Sequence, residues 1–118
     1  MIEKVEGPGR AEVWLIEFEP SIGAEIRKIR PGVVMSHSNV GLLPLRIVVP
    51  ITDWKLHYEN LSWFHKLNPN RQNGLTKESA ADCFQVKSLS VGRFVKRIGK
   101  VDQDEMEELV ARISYCIK

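Results

Sequence analysis

Ala11-Glu12-Val13-Trp14-Leu15-Ile16-Glu17-Phe18 is the stretch on which the fold turns. Its residues fall into two alternating sets, Glu12, Trp14, Ile16 and Phe18 against Ala11, Val13, Leu15 and Glu17. A period of two is the spacing of a β-strand. One face mostly apolar and the other mixed suits a strand in a small closed sheet. Downstream, Pro31-Gly32-Val33-Val34-Met35-Ser36 and Leu45-Arg46-Ile47-Val48-Val49-Pro50-Ile51 are short β-branched runs that read as core strands. Pro20 to Lys28 reads as a loop punctuated by Pro20 and Gly23, and a short extra turn is expected near Ser38.

Beyond Thr52 the pattern loosens. Trp54 to Phe64, rich in aromatic residues, suggests a hairpin or a long excursion, and Asn68 to Gly74 is a cluster of turn-forming residues. Ser79 to Leu89 gives a strand pair or one bent strand, and Phe94 to Val101 a further, basic strand. The chain closes with a helix. Asp102 is a good N-cap with Glu105 three residues on, the spacing of a capping box. Met106, Leu109, Val110, Ile113, Cys116 and Ile117 then form one apolar stripe. Acids crowd the first two turns, and Arg112 and Lys118 lie toward the far end, as the helix dipole favours. The expectation is a mainly β protein, a small antiparallel barrel carrying a C-terminal helix, with residues 1–118 as a single domain.

At 118 residues, 43% hydrophobic and 27% charged, the composition is that of one globular domain. No run approaches the roughly 20 apolar residues of a membrane span, and Met1 to Gly9 lacks the apolar core of a signal peptide. A soluble, cytoplasmic protein is expected. The net charge of +2 conceals an uneven distribution: residues 27–100 hold thirteen Lys or Arg against four acids, a net +9, and the two ends together carry −7. A basic centre of this kind suits a polyanion or a strongly acidic partner. Cys83 and Cys116 sit among apolar neighbours and read as free, buried thiols. His37, His57 and His65 have no acid or cysteine at metal-ligand spacing, so neither a metal nor another cofactor is expected. Gly-rich phosphate loops, nucleophile elbows and His-Glu-x-x-His helices are absent from the sequence.

One segment is more pointed. Pro20 to Pro31 places Glu25, Arg27, Lys28 and Arg30 between two strands, and Pro31 biases Arg30 toward extended backbone. Thr52 and Asp53 follow the next strand. Adjacent strands of a small barrel end side by side, so Arg30 and Thr52 are expected to converge. A held guanidinium and a hydroxyl are what a pentacoordinate phosphate needs. Arg27, Lys28, Asp53, Trp54 and Lys55 lie around this centre in the sequence, with Trp54 either a core residue or an exposed aromatic face.

Arg10-Ala11-Glu12-Val13-Trp14, Phe18-x-Pro20, Gly23-x-Glu25, Arg30-Pro31-x-Val33-Val34, Val49-Pro50-Ile51-Thr52 and Gln85-Val86-Lys87-Ser88-Leu89 stand in order along the chain. Together with the acid-rich C-terminal helix, they resemble the MazF/PemK/Kid family of toxin ribonucleases over nearly the whole length. The resemblance implies an SH3-like, CcdB/PemK-like barrel, a homodimer, and metal-independent, sequence-specific cleavage of single-stranded RNA of the mRNA interferase type. It also implies neutralisation by a cognate acidic antitoxin. The 2′-hydroxyl would attack the adjacent phosphate, leaving a 2′,3′-cyclic phosphate and a 5′-hydroxyl. Arg30 would neutralise the phosphorane, Thr52 would hold an oxygen, and Glu25 is the nearest base or else an ion-pair partner of Arg27 or Lys28. Arg27, Lys28, Asp53, Lys55 and Lys87 would form the RNA track, with Trp54 as a stacking platform if it is not core. Two positions depart from the pattern: Ala11 replaces the usual Gly, and Phe84 stands where the family generally has an acid before Gln85. Asp82, two residues earlier, would on a strand share a face with Phe84. Two other classes fit the same barrel: a CcdB-like topoisomerase poison, which has no need of Arg30 and Thr52, and an inactive SH3-like module binding RNA or protein.

Overall fold

Seven strands and one α-helix form the chain: β1 (Glu12–Glu19), β2 (Lys28–Val34), β3 (Leu45–Asp53), β4 (Phe64–Leu67), β5 (Ser79–Asp82), β6 (Lys87–Ser90), β7 (Phe94–Lys100) and α1 (Gln103–Ile117). The structure is a computed structural model and describes residues 7–19, 28–37 and 43–118. The expected loop from Pro20 and the turn near Ser38 therefore lie largely outside the described residues, as do Glu25 and Arg27. Every pairing is antiparallel, in the order β4-β5-β3-β2-β1-β7, with β6 also on β3. The two ends of this path meet through the turn after β4, where the Lys100 amide donates to the Gln72 carbonyl at 2.8 Å. The Asn68–Gly74 cluster makes that turn. Buried Asn73 accepts at Oδ1 from the amides of Asn70 and Leu75 and donates through Nδ2 to the Asn68 carbonyl.

Both faces of the sheet are put to use. Val13, Val33, Val49, Ile51, Leu67 and Ala81 point to one face and pack with Met106 and Leu109 of α1. Ile16, Val34 and Val48 point to the other, with Trp14 and Phe18 beside them. From β1 to β5 the residues that reach the helix-covered core are thus odd-numbered and those of the opposite cluster even-numbered.

β3 organises the sheet. Its amides alternate in direction: Ile47 donates to Ser36 Oγ and its carbonyl accepts from Met35, both on the β2 side. Pro50 therefore turns its donorless nitrogen toward the other edge. That edge is shared by β5, paired with Ile51–Asp53, and β6, paired with Leu45–Val48. The gap between them is a 3₁₀ turn, Cys83–Gln85. Ser79 to Leu89 is thus one excursion along β3, broken where β3 has no N–H to offer.

Several local expectations need correction. Trp54 to Phe64 is not a hairpin but a 3₁₀ helix, Leu56–Asn60, leading into β4. Asp82 and Phe84 do not share a strand face, because the strand ends at Asp82; Asp82 is 8% exposed and Phe84 67%. The helix stripe is narrower than its sequence suggests, since Met106 and Leu109 are buried but Val110 and Ile117 are 45% and 76% exposed. The Asp102 cap forms as expected, accepting the Glu105 amide at 2.8 Å. The Glu105 carboxylate instead meets His65 Nε2 at 2.9 Å, tying β4 to α1. Arg112 adds to that tie, donating to the carbonyls of Ser62 and Phe64 rather than serving the helix end.

Candidate active site

Register alone brings the central pair together. Gly32 lies opposite Pro50 in the β2–β3 ladder, and carrying that register two residues on sets Arg30 opposite Thr52. Thr52 in turn lies opposite Ala80 of β5, and Phe64 of β4 lies opposite Asp82. All are even-numbered residues of the face away from α1. Two adjoining hollows lie around this pair, and Arg30, Ile51 and Thr52 line both. The first, a cleft of about 260 Å³, adds Tyr58, Phe64, Asp82 and Gln85 among its walls. The second, of about 360 Å³, adds Asp53 and Lys77.

The walls of the cleft follow from local structure. The 3₁₀ helix after β3 lays the Tyr58 ring on Phe64, stacked at 3.8 Å and 7°. Trp54 meets Tyr58 edge-on at 5.9 Å and carries Lys66 Nζ 5.3 Å above its own ring. The turn at Cys83–Gln85 brings Gln85 Nε2 to donate to Asp82 Oδ2 at 2.8 Å. Asp82 Oδ1 is buried and has no hydrogen-bond partner among the described residues.

The sequence-expected residues divide into groups. Arg30 and Thr52 converge as anticipated. Asp53 lies in the neighbouring hollow, bonded to Lys77 at 2.8 Å. Trp54 is half-buried in the aromatic group, and Lys55 is exposed just before the 3₁₀ helix. Lys28 pairs with Glu19 at 3.7 Å. Lys87 does not line either hollow and sits 5.7 Å over the Phe18 ring. Arg46 counts toward the basic total but not toward a basic surface, because it is buried and donates to the Pro8 and Leu43 carbonyls. The cleft also takes in Tyr58 and Phe64, which the sequence does not single out, together with Asp82, the acid nearest Phe84, and Gln85 of the family motif. The dense aromatic residues after Thr52 were the available signal for the first two.

A family model, described as PemK-like, MazF-like toxin of type II toxin–antitoxin system, matches residues 9–117. The chain belongs to this toxin family. The toxin is 27% identical over 106 residues to the Endoribonuclease MazF9 of Mycobacterium tuberculosis, across 85% of this chain and 87% of that one. Its fold is that of MazF from Deinococcus radiodurans (TM-score 0.73, 19% identity, 93% of this chain and 96% of that chain). A mycobacterial endoribonuclease solved with its cognate antitoxin is similar too (TM-score 0.70, 13% identity, 94% and 95%). The fold expected from the strand pattern, mainly β with a C-terminal helix, is therefore the fold of the family.

Two other reactive groups of the toxin are spoken for. Burial pushes the Cys83 thiol up to about 12, so at neutral pH it is a protonated core residue, not a nucleophile. His65 is held on Glu105, on the odd-numbered face. Among the described residues no helix is long and apolar enough to cross a membrane.

Proposed function

We propose that this toxin is an endoribonuclease that cuts single-stranded RNA at the cleft holding Arg30 and Thr52. The observation that carries the reading is their convergence, from different strands, on one open hollow walled by aromatic rings. The relationship to a curated endoribonuclease supports it. The 2′-oxygen attacks the adjacent phosphorus as the bond to the 5′-oxygen breaks. Products are a 2′,3′-cyclic phosphate and a 5′-hydroxyl, whose proton comes from solvent. Arg30 offsets the charge of the phosphorane through a fixed fork of N–H donors, and Thr52 donates to a nonbridging oxygen. Arginine keeps its proton, so it acts by charge and not as a base. Glu25 is the base proposed from its sequence position, and Lys28, Lys55, Trp54 and Lys87 extend the track along which RNA lies.

Positive charge supplied by Arg30 makes the reaction independent of a metal ion. Digesting a long single-stranded RNA in excess chelator should give 5′-hydroxyl ends with cyclic phosphates on their partners. Intact RNA at stoichiometric protein would remove the reading, leaving the topoisomerase-poison and binding-module alternatives.

The toxin works in the cytoplasm as a homodimer. Leu43, Leu45 and Ile47 form an exposed apolar row at the start of β3, with Leu45 and Ile47 43% and 46% exposed. Such a row is best covered by a second copy. Sedimentation at micromolar concentration should show twice the 13.5 kDa chain mass; a species of single-chain mass would contradict the dimer.

Its partner is an acidic antitoxin whose inhibitory segment is disordered when free and competes with RNA for the basic centre. Their affinity should fall as salt rises, though less steeply than that for RNA, since apolar anchors are not screened. An antitoxin that leaves RNA binding unchanged when saturating would refute this mode of neutralisation.

A further inference from the structure

We propose that Gln85 reads a nucleobase beside the scissile phosphate and that Asp82 fixes which way its amide faces. The inference rests on the ribonuclease reading and names the substrate feature that the same cleft selects. Gln85 is exposed, lines the cleft with Arg30 and Thr52, and donates through Nε2 to Asp82 Oδ2 at 2.8 Å. An ionised carboxylate only accepts hydrogen bonds. Chemistry therefore decides the orientation of the amide: nitrogen to Asp82, Oε1 away from it. The buried Asp82 has that donor at Oδ2 and none at Oδ1 among the described residues. Turning the Gln85 amide over would set oxygen against oxygen and leave a buried charge with no donor, so the amide is locked.

A locked glutamine offers an acceptor, Oε1, beside its remaining N–H donor, in a fixed order. Single-stranded bases are commonly bound on their Watson–Crick edges. Adenine and cytosine present there an amino donor next to a ring-nitrogen acceptor. Guanine presents a carbonyl acceptor next to an N–H donor, the reverse, and uracil, whose N3–H lies between two carbonyls, presents both orders. For a base entering with one face to the wall, the locked amide matches adenine and cytosine, opposes guanine, and leaves uracil undiscriminated. The Tyr58–Phe64 stack supplies a wall for the base plane. Phe84, where the family resemblance implies an acid, is exposed and does not line the cleft. The polar pair at 82 and 85 shapes the cleft instead.

The test is a single-stranded RNA pool with randomised bases, digested by the wild-type protein, Asp82→Asn and Gln85→Ala, with all ends sequenced. Wild type should prefer adenine or cytosine over guanine at one position beside the cut by roughly tenfold or more. Asp82→Asn keeps the size of the side chain but can donate as well as accept, so the Gln85 amide is free to turn and the ratio should collapse toward one. Gln85→Ala, at an exposed position, should collapse it at the same site. The ratio is internal to each digest and does not depend on how much protein is folded. Either variant keeping the wild-type preference overturns the proposal, as does a wild type with no such preference. If the wild type cleaves nothing, the ribonuclease reading fails separately. The pocket is then judged by affinity for deoxyribose oligomers differing only in that base: tighter binding of adenine or cytosine than of guanine upholds it, and equal affinity overturns it.

Discussion

Replacing Arg30 or Thr52 by alanine is expected to lower RNA cleavage about a hundredfold, the equivalent of roughly 3 kcal/mol of transition-state stabilisation. Neither change should trouble the fold. Arg30 is exposed and Thr52 only half-buried, so each truncation should cost about 1 kcal/mol or less. Arg30→Lys separates charge from shape. A lysine keeps the attraction for phosphate but loses the planar fork, so RNA should bind nearly as before and be cut poorly. Single-turnover rates with 5′-labelled RNA, alongside binding measured on a deoxyribose analogue, resolve the two effects. Should Arg30→Lys cut at the wild-type rate, Arg30 is a binding charge only.

The largest stability loss is expected at Gly74, in the turn that joins the two ends of the sheet. Gly74 has φ +70, and a Cβ there would lie 1.9 Å from the Ile98 carbonyl oxygen and 2.7 Å from its carbon. Those are backbone atoms of β7, which cannot step aside as a side-chain tip can. Gly74→Ala combines left-handed strain with overpacking and should cost about 3 kcal/mol, a fall in melting temperature of roughly 10 °C. Gly92→Ala is the matched control, since its Cβ would meet only Ser90 Oγ at 3.6 Å. Equal melting temperatures for the two variants would show that the turn gives way and that the contact between Gly74 and β7 is not what holds the sheet ends together.

What was legible in the sequence was local. The alternation in residues 11–18 and the Asp102 cap depend on neighbours within a few positions, and both appear in the structure. Arg30 and Thr52 could be paired because each sits near the end of a strand whose partner was already evident. What stayed hidden depended on distant chain. Nothing near Asp82 or Phe84 reveals that β3 presents Pro50 at that point and cuts the strand short, which puts Asp82 inward and Phe84 outward. The width of the helix stripe is set by what the sheet offers it, so Val110 and Ile117 looked like core and are not. Glu105 completes a capping box on paper, but His65, forty residues away, claims its carboxylate.

The even and odd faces of β3 carry different trades on one ribbon of backbone: Val49 and Ile51 look to the helix, Thr52 to the cleft. Point substitutions can therefore spoil one trade and spare the other. Insertions and deletions have no such freedom. Adding one residue in β3 ahead of Thr52 exchanges its two faces from that point on, sending Thr52 toward the core and Ile51 into its place in the reaction centre; removing one sends Thr52 the same way and brings Asp53 there instead. The gene for such a protein can drift in catalytic power and in stability along separate axes by substitution, but a frame-preserving three-base slip in this strand strikes both at once.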